Sequence, residues 1–387
     1  MSENVALIVG TNLHWAPFYY RYEKYLISKK IKFDLILWNR EEISEPCKAE
    51  NIIECNTRDI ANNKNPKKIW KFIVFGNFVK KVIKERRYDK LLFVGTYGCA
   101  IAFECNFLSK NYKNKMWIDV RDDLYEWFKP FYLAEKKSIE ASFATTISSP
   151  AFKRFLPKHN YYMMHNIDPN ASDMIKNFKK ENDPEGRIRI SFIGNVRYFE
   201  QNVQLIKLLK NDSRFRLQYY GKGSEKLEVY CKENDVENET VVHFEGNLRF
   251  EHTDHMISGV ENVDFHGGFL QDETINFYKK TDIINNMYGN ETMNLQLALS
   301  NKLYYGAFLK LPILVSDNTL MEDLTHEYEM GFTFENTNEF ADKLYEWYVK
   351  IENKEINPKF EALWKKVQDE DNTTMKKLDE FLGVKLI

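Results

Sequence analysis

A short apolar run with no polar gap, Val5–Val9, ends directly in Gly10. A run of that length and composition suits a strand buried on both faces, and parallel sheets bury both faces. The stretch from Pro17 to Ser28 then has helical spacing, and Phe33–Trp38 is a second strand-like run. The alternation continues. Strands are predicted at Leu91–Val94, Met116–Val120, Thr145–Ile147 and Tyr162–Met164. Lys67–Arg87 reads as a long basic, aromatic helix with a break near Gly76, and Leu124–Ala141 as another helix. Asp173–Arg187 is polar, carries Pro184 and Gly186, and reads as a linker. Beyond it the pattern restarts, with strands expected at Ile188–Ile193, Phe215–Tyr220, Val241–Phe244, Val263–Phe265, Ile283–Met287 and Pro312–Val315. Helices are expected at Gln201–Leu209, Gln271–Lys280 and Asn301–Leu309, and the tail Glu339–Leu382 is mostly helical.

Two such blocks predict an α/β protein of two doubly wound, Rossmann-like domains facing a central cleft. The 387 residues suit two cores better than one. The expected division is a first domain at 1–172, a linker at 173–187, a second domain at 188–350, and C-terminal helices at 351–387 that cross back to the first domain. Sheets of this kind bind ligands at the carboxyl ends of their strands. The net charge of −2 argues against a nucleic-acid partner. Five cysteines without a CxxC pair suit a reducing compartment. The start has no basic, signal-like region, and no run reaches membrane-spanning length, so the expected location is cytoplasmic. There is no GxGxxG, no GxSxG and no metal-ligand spacing; His252, Asp254 and His255 read as a surface loop, and no metal or other cofactor is expected.

Several motifs carry a family resemblance. Ser300-Asn301-Lys302-Leu303-Tyr304-Tyr305-Gly306, followed by Leu311–Ser316, resembles the donor-site helix and strand of bacterial GT-B glycosyltransferases. Phe192–Arg197 with Gln201-Asn202 looks like the first strand and loop of their donor domain. Tyr219–Gly223 looks like a later glycine turn, and Asn262–Gly267 like the run before the donor loop. In the first block Ile118–Asp122, Ile147–Ser149 and His165–Asp168 fall where that group has its strand-end motifs. The order matches over nearly the whole chain, and the retaining family 4 type enzymes of capsule and lipopolysaccharide synthesis are the nearest group. The resemblance implies hexosyl transfer from a nucleotide-sugar donor to a glycan or lipid-linked acceptor, with retention and without a required protein base. This chain departs from the pattern in three places: Tyr305 and Leu297 stand where the family has acidic residues, and Lys310 where it has glycine.

The chemistry of such a donor selects candidates. A metal-free site must meet the leaving diphosphate with cations and helix N-termini. Arg197, just past a strand end, and Asn301 with Lys302, at a helix start, fit that need; Lys222 is a third cation. Each could equally be a solvated surface charge. Gly194 and Gly221 permit close backbone approach, or are plain turns. Asn195 and Tyr305 complete the donor set by family placement. Arg121, Asp122 and Asp123 end a strand of the first block, where a carboxylate could orient an acceptor hydroxyl; alternatively an aspartate caps the following helix. His165 with Asn166, and His14 with Asn12 and Trp15, sit at other strand ends and could line the cleft, His165 in catalysis and Asn12 and His14 with Asp123 at the acceptor, although a lone histidine is more often structural. Residues 64–90 hold ten Lys or Arg interleaved with Trp70, Phe72, Phe75 and Phe78. They read either as a surface lying on the inner membrane face or as an amphipathic helix with solvated lysines. A nucleotide-sugar 2-epimerase and a non-catalytic relative remain alternative functions.

Overall fold

The computed structural model describes residues 4–58, 68–95, 104–168, 170–235, 255–256, 262–270 and 273–384. The chain divides into two compact units, Met1–Pro169 with Lys366–Ile387, and Asn170–Lys365.

The first unit is built on a parallel sheet of β1 (Val5–Val9), β2 (Phe33–Trp38), β3 (Asn51–Cys55), β4 (Lys90–Val94), β5 (Met116–Val120), β6 (Ala144–Ile147) and β7 (Tyr161–Met163). Its spatial order is β3-β2-β1-β4-β5-β6-β7. The chain crosses between β1 and β4, so their carboxyl ends form the switch point at which ligands of such sheets bind. Helices α1 (Tyr19–Ser28), α2 (Lys68–Arg86), α3 (Cys105–Asn111) and α4 (Lys129–Ala141) cover the faces. Every residue of β1 is buried, as its uninterrupted apolar run requires. Gly95, past β4, has φ +87°, and a Cβ there would fall 2.7 Å from the Phe18 ring, so the turn admits little but glycine.

The second unit repeats the plan. α5 (Ala171–Asn177) precedes β8 (Ile188–Ile193), α6 (Phe199–Leu209), β9 (Phe215–Tyr220) and α7 (Ser224–Asp235). β10 (His255–Met256), β11 (Val263–His266), α8 (Thr274–Lys279), β12 (Ile283–Asn286), α9 (Met293–Leu297), α10 (Asn301–Leu309) and β13 (Ile313–Val315) follow. α11 (Leu320–Glu327), β14 (Gly331–Thr333), α12 (Phe340–Glu352) and α13 (Phe360–Phe381) complete the chain. The sheet order is β10-β11-β9-β8-β12-β13-β14, with its switch point between β8 and β12. All pairings are parallel except β10 against β11. α13 begins in the second unit and ends in the first, where Leu378, Phe381 and Leu382 join the core around β1 and Trp117.

The two doubly wound sheets expected from the alternation are present. Several details differ. α2 runs unbroken through Gly76. α4 starts at Lys129 with Phe128 at its N-cap, so neither Asp122 nor Asp123 caps it; Pro130, acceptable in a first turn, sets the start. A helix at Ala171–Asn177 starts at the end of the expected first domain and runs into the stretch read as linker. The expected strand at Val241–Phe244, and His252 and Asp254, lie outside the described residues.

Candidate functional site

The strand ends of the second unit converge on two glycine loops. Past β8, Gly194 donates its N–H to the Tyr220 carbonyl at 2.9 Å, and Val196 to that of Lys222 at 2.9 Å. Gly194 and Gly221 both have φ +127°, and a Cβ on Gly221 would lie 1.9 Å from the Gly194 carbonyl oxygen. The loops touch backbone to backbone, which leaves their outer faces open for a ligand. With its amide oriented to satisfy both ends, Asn195 donates to the Lys222 carbonyl at 3.2 Å and accepts from Arg197 Nε at 3.3 Å and Nη2 at 3.2 Å. Arg197 and Lys222 are exposed, so this clasp presents two cations above the loops. Tyr220 stacks with His266 at 4.4 Å and with Phe277 at 4.3 Å on the β9–β11 side.

Lys302 is the unusual residue of the site. It lies in the first turn of α10 and is only 3% exposed. Its Nζ donates to the Tyr288 hydroxyl at 2.6 Å and sits 3.7 Å above the Phe192 ring centroid. No carboxylate among the described residues pairs with it. Burial holds its ammonium well below the usual lysine range and pushes the Tyr288 phenol up to about 12. Ser300 caps the helix by accepting the Lys302 N–H at 3.3 Å, and Asn301 is exposed at the same helix start. Beside them Gly289 N–H donates to Ser316 Oγ at 2.9 Å, and Ser316 donates to Gln201 Oε1 at 2.6 Å. Tyr305 is placed differently from the rest. It is buried, its ring stacked on Tyr278 at 4.4 Å.

In the first unit, Arg121 is a buried strut. Its Nε and Nη2 lie 2.8 Å from Asp119 Oδ2, and Nη1 donates to the Met164 carbonyl at 3.0 Å and to Asn166 Oδ1 at 2.6 Å. His165 is buried with Nε2 2.8 Å from Glu370 Oε2 on α13, and that bond holds the Glu370 carboxyl below the usual range. Asn12 is fully buried; its amide donates to Asn39 at 2.9 Å and accepts from the Arg40 and Glu41 N–H groups at 3.0 and 3.1 Å. Asp122 is exposed and Asp123 half-buried in the loop before α4. His14 is half-exposed, with Nδ1 2.7 Å from Glu45 Oε1. Among the described residues no group of three or more His, Cys, Asp or Glu side chains is placed to hold a metal.

No protein-family model matches the sequence, and no curated protein matches it. Solved structures do match, along almost the whole chain. Sucrose-phosphate synthase from Thermosynechococcus elongatus superposes with a TM-score of 0.63 at 10% identity, covering 98% of this chain and 97% of its own. The lipopolysaccharide outer core galactosyltransferase WaaB gives 0.59 at 12% identity, covering 99% and 100%. A putative UDP-N-acetylglucosamine 2-epimerase from Listeria monocytogenes gives 0.54 at 11% identity, covering 90% and 88%. The chain has the GT-B fold. At these identities the likeness shows the fold alone.

Within this GT-B fold, the structure brings Gly194, Asn195, Arg197, Gly221 and Lys222 together in one clasp, with Lys302 beneath the end of β8. Tyr305 belongs to the aromatic packing between α8 and α10. Arg121, His165 and Asn12 are buried and bond other groups of the first unit. Sequence reasoning missed Tyr288 and Phe192 as the walls around Lys302, and Glu41 and Glu45 as partners of the first loop. Tyr288 was legible as the residue before Gly289 at a strand end; the two glutamates carry no local signal, because they reach the His14 loop only through the β1–β2 pairing.

Proposed function

We propose that this GT-B chain is a glycosyltransferase that moves a hexosyl group from a nucleotide-sugar donor to a glycan or lipid-linked acceptor in cell-surface polysaccharide assembly, with retention. The carrying observation is Lys302: an ammonium buried with no carboxylate partner among the described residues, at a helix start, beside two glycine loops topped by Arg197 and Lys222. Such a group costs stability unless an anion arrives, and a nucleoside diphosphate supplies that anion. The same three cations would offset the charge that develops on the leaving phosphate, so the reading needs no metal or other cofactor. Donor recognition is assigned to the second unit, with Asn301 at the helix start beside the cations. Acceptor recognition is assigned to the first, with Asp122 and Asp123 in a loop open to solvent. Titration calorimetry with UDP, GDP and CMP tests the donor reading. Binding of at least one, weakened tenfold or more by Lys302→Ala, is expected; no binding to any of them would sink it. The anomeric form of the transferred sugar, read by NMR, tests retention.

The epimerase neighbours support a second reading. Conversion of UDP-N-acetylglucosamine alone to its 2-epimer would favour it, whereas transfer that requires an acceptor favours the first. We further propose a cytoplasmic enzyme held at the inner membrane face by α2. Phe72 and Phe75 of that helix pack on Trp38, which satisfies the amphipathic reading. Trp70 stays 69% exposed, with Val74 also exposed one turn on, among lysines. Flotation with anionic vesicles, abolished by Trp70→Ala, checks the contact. No helix among the described residues is long and apolar enough to cross a membrane.

A further inference from the structure

The loop after β1 is built more rigidly than its exposure requires. Leu13–Trp15 forms a single 3-10 turn with Leu13 buried beneath it. Glu45 ties it down: one oxygen accepts the Leu13 N–H at 2.6 Å, the other the His14 N–H at 2.7 Å, and that second oxygen also lies 2.7 Å from His14 Nδ1. Burial alone would raise the Glu45 carboxyl; the bonds from His14 and Leu13 outweigh it and bring it below the usual range. A carboxylate accepts, so Glu45 takes the bond from His14 Nδ1. Glu41 ties the other side, accepting the Trp15 Nε1–H at 2.7 Å. From beneath, Asn12 holds the Arg40 and Glu41 backbone in place.

The result is a fixed, exposed aromatic beside an imidazole nitrogen and a carboxylate oxygen. Trp15 is 41% exposed, although its indole N–H is already satisfied. The His14 ring stands 4.9 Å from it at 46°, with its side chain 39% exposed. His14 Nε2 and Glu41 Oε2 are 3.5 Å apart. A sugar hydroxyl can donate to the carboxylate oxygen and can donate to or accept from the imidazole nitrogen, so one ring edge can engage both atoms. A pyranose offers both complements: an apolar C–H face for an indole and a rim of hydroxyls for acceptors. Holding the loop before the ligand arrives lowers the entropy cost of binding.

We propose that Trp15, His14 and Glu41 form a saccharide subsite, in which a pyranose ring lies on the Trp15 indole and its hydroxyls hydrogen-bond His14 Nε2 and Glu41 Oε2, while Glu45 positions His14. This rests on the glycosyltransferase reading and deepens it, since it makes the acceptor a sugar rather than a bare lipid phosphate. Indole NMR signals of the full chain, with Trp15 assigned through Trp15→Phe, provide the test. Methyl glycosides of glucose, galactose and N-acetylglucosamine are titrated in one series and UDP in another. A saturable shift of the Trp15 signal with at least one glycoside is expected. Trp15→Ala should weaken glycoside binding about tenfold or more and leave UDP binding unchanged, and Glu41→Gln, which retains an acceptor for the indole, should weaken it less. If no glycoside moves the Trp15 signal, or if binding survives Trp15→Ala at full strength, the subsite is refuted. Failure of UDP, GDP and CMP alike, with glycoside binding intact, would sink the donor reading and leave the subsite standing.

Discussion

Lys302 and Glu135 are both charge-bearing side chains held where water cannot reach them, and they answer to pH in opposite directions. Lys302 has a folded pKa well below its ordinary 10.5, through burial. The stability it forgoes is present above 10.5 and lost as pH falls through the lowered folded value. Lys302→Met should therefore melt higher than the parent by about 1 kcal/mol or more at neutral pH, the gap closing as pH approaches 10.5, and should lose UDP binding. UDP binding by the parent should take up protons in the same window, which calorimetry in buffers of different ionisation enthalpy reads directly. Glu135 on α4 is 1% exposed, and neither carboxyl oxygen has a hydrogen-bond partner among the described residues. Burial first, and the neighbouring Glu126 second, hold its folded pKa well above the ordinary 4.5. Here stability is present below 4.5 and lost as pH rises toward the folded value. Glu135→Leu should stabilise the chain at neutral pH by about 1–3 kcal/mol, with no gain at pH 4, as chemical denaturation across that range would show. The sequence offered Lys302 through its place at a helix start. It offered nothing for Glu135, because a lone glutamate in a helix reads as solvated until the packing of α4 is known.

At the scale of elements, alternation made the sheets legible. The strands with predominantly apolar runs, such as Val5–Val9 and Phe33–Trp38, begin and end where the sequence placed them. β3 was missed because Asn51–Cys55 is an edge strand, largely exposed, and lacks the apolar run of an interior one. Gly76 was read as a helix break because glycine is a poor helix former. The packing of Phe72 and Phe75 on Trp38 overrides that preference and keeps α2 whole. Among the described residues a Cβ at Gly76 would meet only Glu104 Cγ, at an ordinary 3.6 Å. Gly76→Ala should thus stabilise the protein by up to about 1 kcal/mol, read as a shift of the denaturation midpoint at constant m-value. Lys310 shows the reverse conflict. It closes α10 with φ +59°, the conformation for which glycine is favoured at a helix end, and the family's glycine at that position has this physical reason.

At the scale of the molecule, each unit has its own core, but only the second is one stretch of chain. Residues 366–387 complete the first unit. Leu378, Phe381 and Leu382 enter its core, and Thr374 donates to the Met163 carbonyl. Asp379 accepts from Tyr25 at 2.7 Å, and Asp371 pairs with Arg21. Ending the chain at Lys365 should remove several kcal/mol from the first unit, at about 1.5–3 kcal/mol for each buried apolar side chain. Calorimetry of that variant should show an early transition for the first unit and a preserved one for the second. The same thread sets an order of events on the ribosome. Domains generally fold as the chain emerges, amino end first. Here the unit that is begun first has to wait for its last helix, so the second unit can reach its native state while the first is still unfinished.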